Sequence, residues 1–171
     1  MKVIQVLYSG VGGTAAVAFS LTSGDLKKKW DHIFVFLGKE KLAPGHKELC
    51  KKLKIKYYNY NLIKNFFLRE LILFKLIIKE RPDAIIMHGF NTFSVIILKI
   101  FFLFKTIYVE HTPYASRNFK NKFLDFFKFK FFDKIIFLSK EYKFKFIKKK
   151  NFIINKKIKI INNNISTFKK I

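Results

Sequence analysis

Three short stretches of the chain set reactive side chains where loops would begin. Gly10, Gly12 and Gly13 precede Thr14 in YSGVGGTAAVAFS, His88 precedes Gly89 in MHGFNT, and Glu110 adjoins His111 in EHTPYASRN. Glycines at a helix start let the backbone come close to a ligand, and free helix N–H groups with the helix dipole favour negative charge. A tight strand-to-helix turn without a ligand would use the same residues. The run Gly10-Val11-Gly12-Gly13-Thr14-Ala15 also fits the pattern G-x-G-x-x-A of dinucleotide sites. The acid expected at the end of the second strand is missing there, and Glu40, beyond Gly38, is the nearest.

A loop histidine either bonds a backbone carbonyl or meets a substrate. As substrate contacts, His88 and His111 would donate a hydrogen bond to a hydroxyl or steady developing charge. Two histidines beside Glu110 amount to half a metal site. No further ligand cluster accompanies them, so no metal is expected.

These residues need a scaffold that brings loops to one side. Short β-rich apolar runs at 2–8, 32–37, 55–58, 84–87, 106–110, 134–138 and 158–161 alternate with longer amphipathic runs near 13–23, 45–53, 64–80, 91–104, 117–131 and 139–149. Continuous Val/Ile runs imply strands covered on both faces, and the βαβ rhythm implies a parallel sheet. The expected fold is α/β: a Rossmann-like, doubly wound, mostly parallel sheet of six or seven strands with helices on both faces. In such a sheet ligands gather at the carboxyl ends of the strands. The loops after strands one, four, five and six (LSKE for the last) carry the small, polar and titratable residues at that one end.

At 171 residues the chain suits one domain, and two would be cramped. Its 35 Lys+Arg against 11 Asp+Glu give a net charge of +24, which suits an anionic membrane, a nucleic acid or a phosphorylated substrate. Codon bias competes as an explanation, because Lys, Phe, Ile and Asn make 89 of the 171 residues and all have codons poor in G and C. Scattered lysines, with Arg only 3 of the 35 cations, disfavour base reading in nucleic acid. A lone cysteine, Cys50, suits a reducing cytoplasm. The apolar run after Met1 is too short for a signal peptide. The longest later one, VIILKIFFLF, carries Lys99 and falls short of the ~18 residues of a spanning helix. RNFKNKFLDFFKFKFF at 117–132 interleaves cations with apolar residues, as does 62–78, a pattern of helices lying in an anionic interface or packing on a sheet.

In order and spacing, SGVGGTAAVAFSL, RPDAIIMHGF, TIYVEHTPY, FDKIIFLSKEYKFKF and KIKIINNNIS resemble the N-terminal domain of family 4 glycosyltransferases of the GT-B fold. The resemblance implies transfer from a nucleotide-sugar donor to a glycan or lipid-linked acceptor, with retention at the anomeric carbon and without metal or other cofactor. It implies a role in bacterial surface polysaccharide or lipopolysaccharide synthesis, cytoplasmic or peripheral on the inner membrane face. Gly12 and Gly13 fall on the family's glycine loop near the donor phosphates, and Thr14 follows them. His111 falls on its donor-sugar histidine and is the expected catalytic residue, with His88 and Glu110 beside the substrate. Ser139 falls at a helix start, where it suits an N-cap. Residues 1–161 would form the acceptor-side domain and 162–171 a truncated interdomain linker, in which Asn162-Asn163-Asn164 replaces the usual Pro-Asn-Gly. The donor-binding second domain would be missing, either because the gene is truncated or because a separate chain supplies it.

If the cations meet lipid, the protein will sediment with anionic liposomes and less with neutral ones. Raising salt should weaken that binding, because lipid-phosphate attraction is screened. Salt-independent binding would indicate apolar insertion instead.

Overall fold

A computed structural model of the chain describes residues 1–10, 12–25, 29–38, 40–61, 63, 65–89, 93–111, 130–140, 143 and 158–161. The elements, in order, are β1 (Lys2–Tyr8), α1 (Gly13–Ser23), β2 (Asp31–Gly38), α2 (Pro44–Lys52), β3 (Lys56–Asn61), α3 (Phe66–Glu80), β4 (Ala84–His88), α4 (Phe93–Phe101), β5 (Lys105–Glu110), β6 (Lys134–Phe137) and β7 (Ile158–Ile160). The strands form one parallel sheet in the order β3-β2-β1-β4-β5-β6-β7. The direction of winding reverses at β1, which has β2 on one side and β4 on the other.

Alternating side chains of β1 reach opposite faces of the sheet. Ile4 and Val6 share a cluster with Leu73, Leu76 and Ile77 of α3 and Val95 and Leu98 of α4. Leu7, with Phe34 and Phe36 of β2, packs instead against Ala15, Ala18 and Phe19 of α1 and Cys50 of α2. Helices therefore cover both faces, which is why β2 and β4, and β1 apart from Gln5, read as continuous apolar runs rather than alternating ones.

Polar side chains set where elements begin. Asn65 Oδ1 accepts from Leu68 N at 3.2 Å and caps α3. Glu70 of α3 accepts from Ser94 N at 2.8 Å, placing a carboxylate at the amino end of α4, where the helix dipole favours it. Two aspartates act alike at the amino edge of the sheet. Asp83, just before β4, accepts from Lys2 N of β1 at 2.7 Å, and Asp133, just before β6, accepts from Thr106 N of β5 at 2.7 Å. Each thereby fixes the register of a strand pair. Glu80 closes α3 onto the same edge: its carboxylate meets Lys56 Nζ at 2.8 Å and the Tyr58 hydroxyl, and Lys2 Nζ donates to its carbonyl at 2.7 Å. Burial pushes the Glu80 carboxyl up, but Lys56, Tyr58 and Lys2 outweigh it and hold it at about 2.

The main departures from expectation are at ends. β3 runs to Asn61, past the expected 58, because parallel pairing with β2 continues through Gly38↔Asn61 despite two turn-forming asparagines. α4 ends at Phe101, short of the expected 104, and Phe104 lies buried outside it. The expected helices 117–131 and 139–149 fall outside the described residues, except that residues 130, 131, 140 and 143 are helical. The linker 162–171 also falls outside.

Leu73 is fully buried at the centre of the α3 face. Leu73→Ala should therefore cost about 2–5 kcal/mol of unfolding free energy, read as a lower urea midpoint with an unchanged m-value.

Candidate functional site

The carboxyl ends of β1, β4 and β5, three adjacent strands, bring the expected residues to one rim of the sheet. α1 starts there with Gly12 at its N-cap. No side chain caps it and no acid lies in its first turn, so its amide groups keep their preference for an anion. A side chain added at Gly12 or Gly13 would meet nothing within 4 Å among the described residues, which leave this mouth open. Thr14 Oγ1 is buried beside it with no hydrogen-bond partner among the described residues.

Gly10 has a different neighbour. The carboxylate of Glu40 leaves no room for a side chain there. Glu40 accepts from the Tyr8 hydroxyl at 2.5 Å, while its carbonyl accepts from Ser9 Oγ at 2.8 Å. Gly38 permits this approach: its φ is +145°, and a Cβ would fall 2.7 Å from Ser9 Oγ. Glu40 thus lies against Gly10 with its carboxylate already engaged, an arrangement that repels an anion at the first glycine and leaves Gly12–Thr14 as the open part of the loop.

His88 ends β4 and His111 follows β5, and the structure brings them together. His88 Nδ1 lies 3.2 Å from His111 Nε2, with ring centroids 5.5 Å apart. Gly89, at φ +76°, turns the chain directly after His88 and hydrogen-bonds Val109 O, which holds the two loop starts together. His88 is 1% exposed and His111 half-buried. Burial, and then the neighbouring His111, lowers the His88 imidazole to about 3, while burial lowers His111 to about 4. Both rings are neutral at pH 7. Glu110 is buried at the end of β5, level with Phe137 of β6. Among the described residues no three His, Cys, Asp or Glu side chains converge as a metal-binding group.

Behind the histidines lies a residue that the motifs did not point to. Gln5, fully buried in β1, has Oε1 3.0 Å from His88 Nε2 and Nε2 3.0 Å from both Thr22 Oγ1 and His32 Nδ1. His32 Nε2 in turn lies 3.9 Å from Asp25 Oδ2. A hydrogen-bonded chain therefore crosses the sheet from His111 through His88 and Gln5 to His32, whose Nε2 is buried without a hydrogen-bond partner among the described residues. Its one sequence signal is a lone amide inside the apolar run KVIQVLY.

The sequence profile of Glycosyltransferase Family 4 matches residues 11–167. The chain belongs to glycosyltransferase family 4. Anabaena HepE, solved in complex with UDP and glucose, superposes with a TM-score of 0.71 at 16% identity, over 95% of this chain and 44% of HepE. A glycosyltransferase from Rickettsia africae gives 0.71 at 17% identity, over 94% of this chain and 42% of its own. Acinetobacter baumannii MurG gives 0.53 at 12% identity, over 80% and 41%. At these identities the likeness is one of fold, and this family 4 chain spans less than half the length of each. No curated protein sequence matches it.

Because both rings titrate lower in the folded than in the unfolded chain, near 6.5, the unfolded state binds more protons below that pH. The stability they contribute is complete above about 6.5 and is lost as pH falls toward 3. His88→Gln should flatten that part of a chemical-denaturation pH profile, and an unchanged slope would contradict the neutral buried pair.

Proposed function

We propose that residues 1–161 form the acceptor-side domain of a retaining, nucleotide-sugar-dependent glycosyltransferase in bacterial surface polysaccharide or lipopolysaccharide synthesis. The observation that carries this reading is the meeting of an open helix amino terminus, Gly12–Thr14, with a neutral histidine pair at the point where the sheet reverses its winding. Ligands of open α/β sheets bind at such a point. Helix amides suit a diphosphate, and an uncharged imidazole suits a sugar hydroxyl. The fold shared with HepE, which was solved with UDP and glucose, supports the assignment.

In this reading the Gly12 and Gly13 amides and Thr14 face the donor phosphates, and His111 contacts the sugar, backed by His88. Metal is not required, since helix amides balance part of the diphosphate charge. Further donor contacts come from a second domain outside these residues, because a GT-B reaction proceeds in the cleft between two halves. Membrane docking fits the same picture. α3 and α4 expose Phe67, Leu71, Ile97, Ile100 and Phe101, with Lys75 and Lys79 also exposed on α3. Among the described residues no helix is long and apolar enough to cross a membrane. Docking would therefore be peripheral.

Titrating UDP-glucose into the isotopically labelled chain should shift the amide resonances of Gly12, Gly13 and Thr14 together with the His111 ring. In an enzyme completed by a donor-binding domain, His111→Ala should lower turnover roughly 100-fold while leaving the fold intact. Equal turnover in variant and wild type, or no shift at the glycines at millimolar ligand, would overturn the proposal.

A further inference from the structure

We infer that Gln5 is a positioning residue for the site: acting through His88, it holds the His111 ring with its proton on Nε2 and leaves Nδ1 bare as a hydrogen-bond acceptor. The chemical meaning of this rests on the reading of His111 as a substrate contact, whereas the geometry does not depend on it.

The direction of the chain follows from its far end. Thr22 Oγ1 lies 3.0 Å from Ala18 O, and a carbonyl only accepts, so the single hydroxyl proton of Thr22 is committed to it. Toward Gln5 the hydroxyl can then only accept, so the amide nitrogen of Gln5, not its oxygen, faces Thr22. The second amide proton goes to His32 Nδ1, which must be bare. His32 therefore carries its proton on Nε2, the nitrogen turned toward the Asp25 carboxylate. The Asp25 carboxylate makes no hydrogen bond to that nitrogen at 3.9 Å, but its charge favours the same orientation that Thr22 sets.

With the nitrogen so placed, Gln5 Oε1 faces His88 and accepts from its Nε2–H. A neutral imidazole has one proton, so His88 Nδ1 is bare and accepts from His111 Nε2–H. His111 has then spent its only proton inward. Every donor from His111 to His32 points the same way, and the fully buried amide at the centre has both protons and its oxygen paired.

This reverses the role expected of His111 from sequence, where it was to donate to a hydroxyl. The bare Nδ1 selects a group that brings its own proton, such as a sugar hydroxyl or an amide N–H, and disfavours a phosphate or carboxylate oxygen. Phosphate recognition is thereby left to Gly12–Thr14, and the two halves of the rim discriminate by opposite polarity.

The test is ¹⁵N NMR of the histidine side chains in the ligand-free 171-residue chain at pH 7. His111 is expected as a single tautomer, protonated at Nε2. Gln5→Glu keeps an acceptor toward His88 and should retain that pattern. Gln5→Met keeps the volume but removes the acceptor, and both His111 tautomers should appear. A His111 tautomer unchanged in folded Gln5→Met would mean that Gln5 only packs, and would overturn the assignment. Should Gln5→Met fail to fold, Thr22→Val combined with Asp25→Asn leaves Gln5 in place and removes both groups that orient it. A single unchanged tautomer in that variant would also overturn the inference, as would wild-type His111 protonated at Nδ1. Because no ligand is present, these results stand apart from the UDP-glucose titration, whose failure alone would remove the substrate reading and leave the relay intact.

Discussion

A parallel sheet covered on both faces offers a buried polar atom no water, so any donor or acceptor inside it must find its partner within the protein. Gln5 is the point where this chain accepts that constraint. A leucine there would pack as its neighbours do. The amide instead needs a hydroxyl from α1 and an imidazole from each of the two flanking strands, and it has all three. Satisfying it ties β2, β1, β4 and α1 together through directional bonds in a region otherwise held by apolar contact, which specifies one arrangement. The histidine at the open rim inherits its orientation from that requirement.

The rim itself follows from the order of the strands. Because β1 has β2 on one side and β4 on the other, the connections leaving β1 and β4 depart to opposite faces and open a crevice between them. The glycine loop lines one wall and His88 the other. Glu40 narrows the part nearest Gly10, so the dinucleotide pattern read from the sequence meets an acid engaged by Tyr8 rather than a free carboxylate awaiting a ribose. A basic protein with net charge +24 thus keeps an acid beside its glycine loop.

Much of this was legible in residue patterns. Seven apolar runs gave the seven strands, and β1 and α1 begin and end where the periodicity and the glycines place them. His88 and His111 could be placed at one end of the sheet because each follows a strand. Their contact, however, needed the β4–β5 register, in which His88 lies level with Val109. The end of α4 was hidden by an apolar run that continues to Phe104 without a glycine or proline to mark the stop. Gln5, and the place of Glu40 against Gly10, escaped notice for a related reason. Pattern reading treats one polar residue in an apolar strand as noise, and it cannot see that a residue beyond Gly38 folds back over Gly10. The roles of Asp83 and Asp133 likewise come from backbone groups on neighbouring strands, which have no sequence signature of their own.

Of the seven strands β1 is synthesised first, and it comes to lie inside the sheet. Its pairing with β2 can form as soon as residue 38 is clear of the ribosome, but its other side has no partner until Ala84–His88 has emerged. At roughly 5–20 residues per second, that side of an apolar strand is left open for several seconds of translation. The amide of Gln5 waits for the same event, since one of its three partners is His88. During that interval the nascent chain carries an exposed strand edge with a buried-type polar group, so a chaperone able to shield the emerging half-sheet would serve its yield more than one acting on the finished polypeptide.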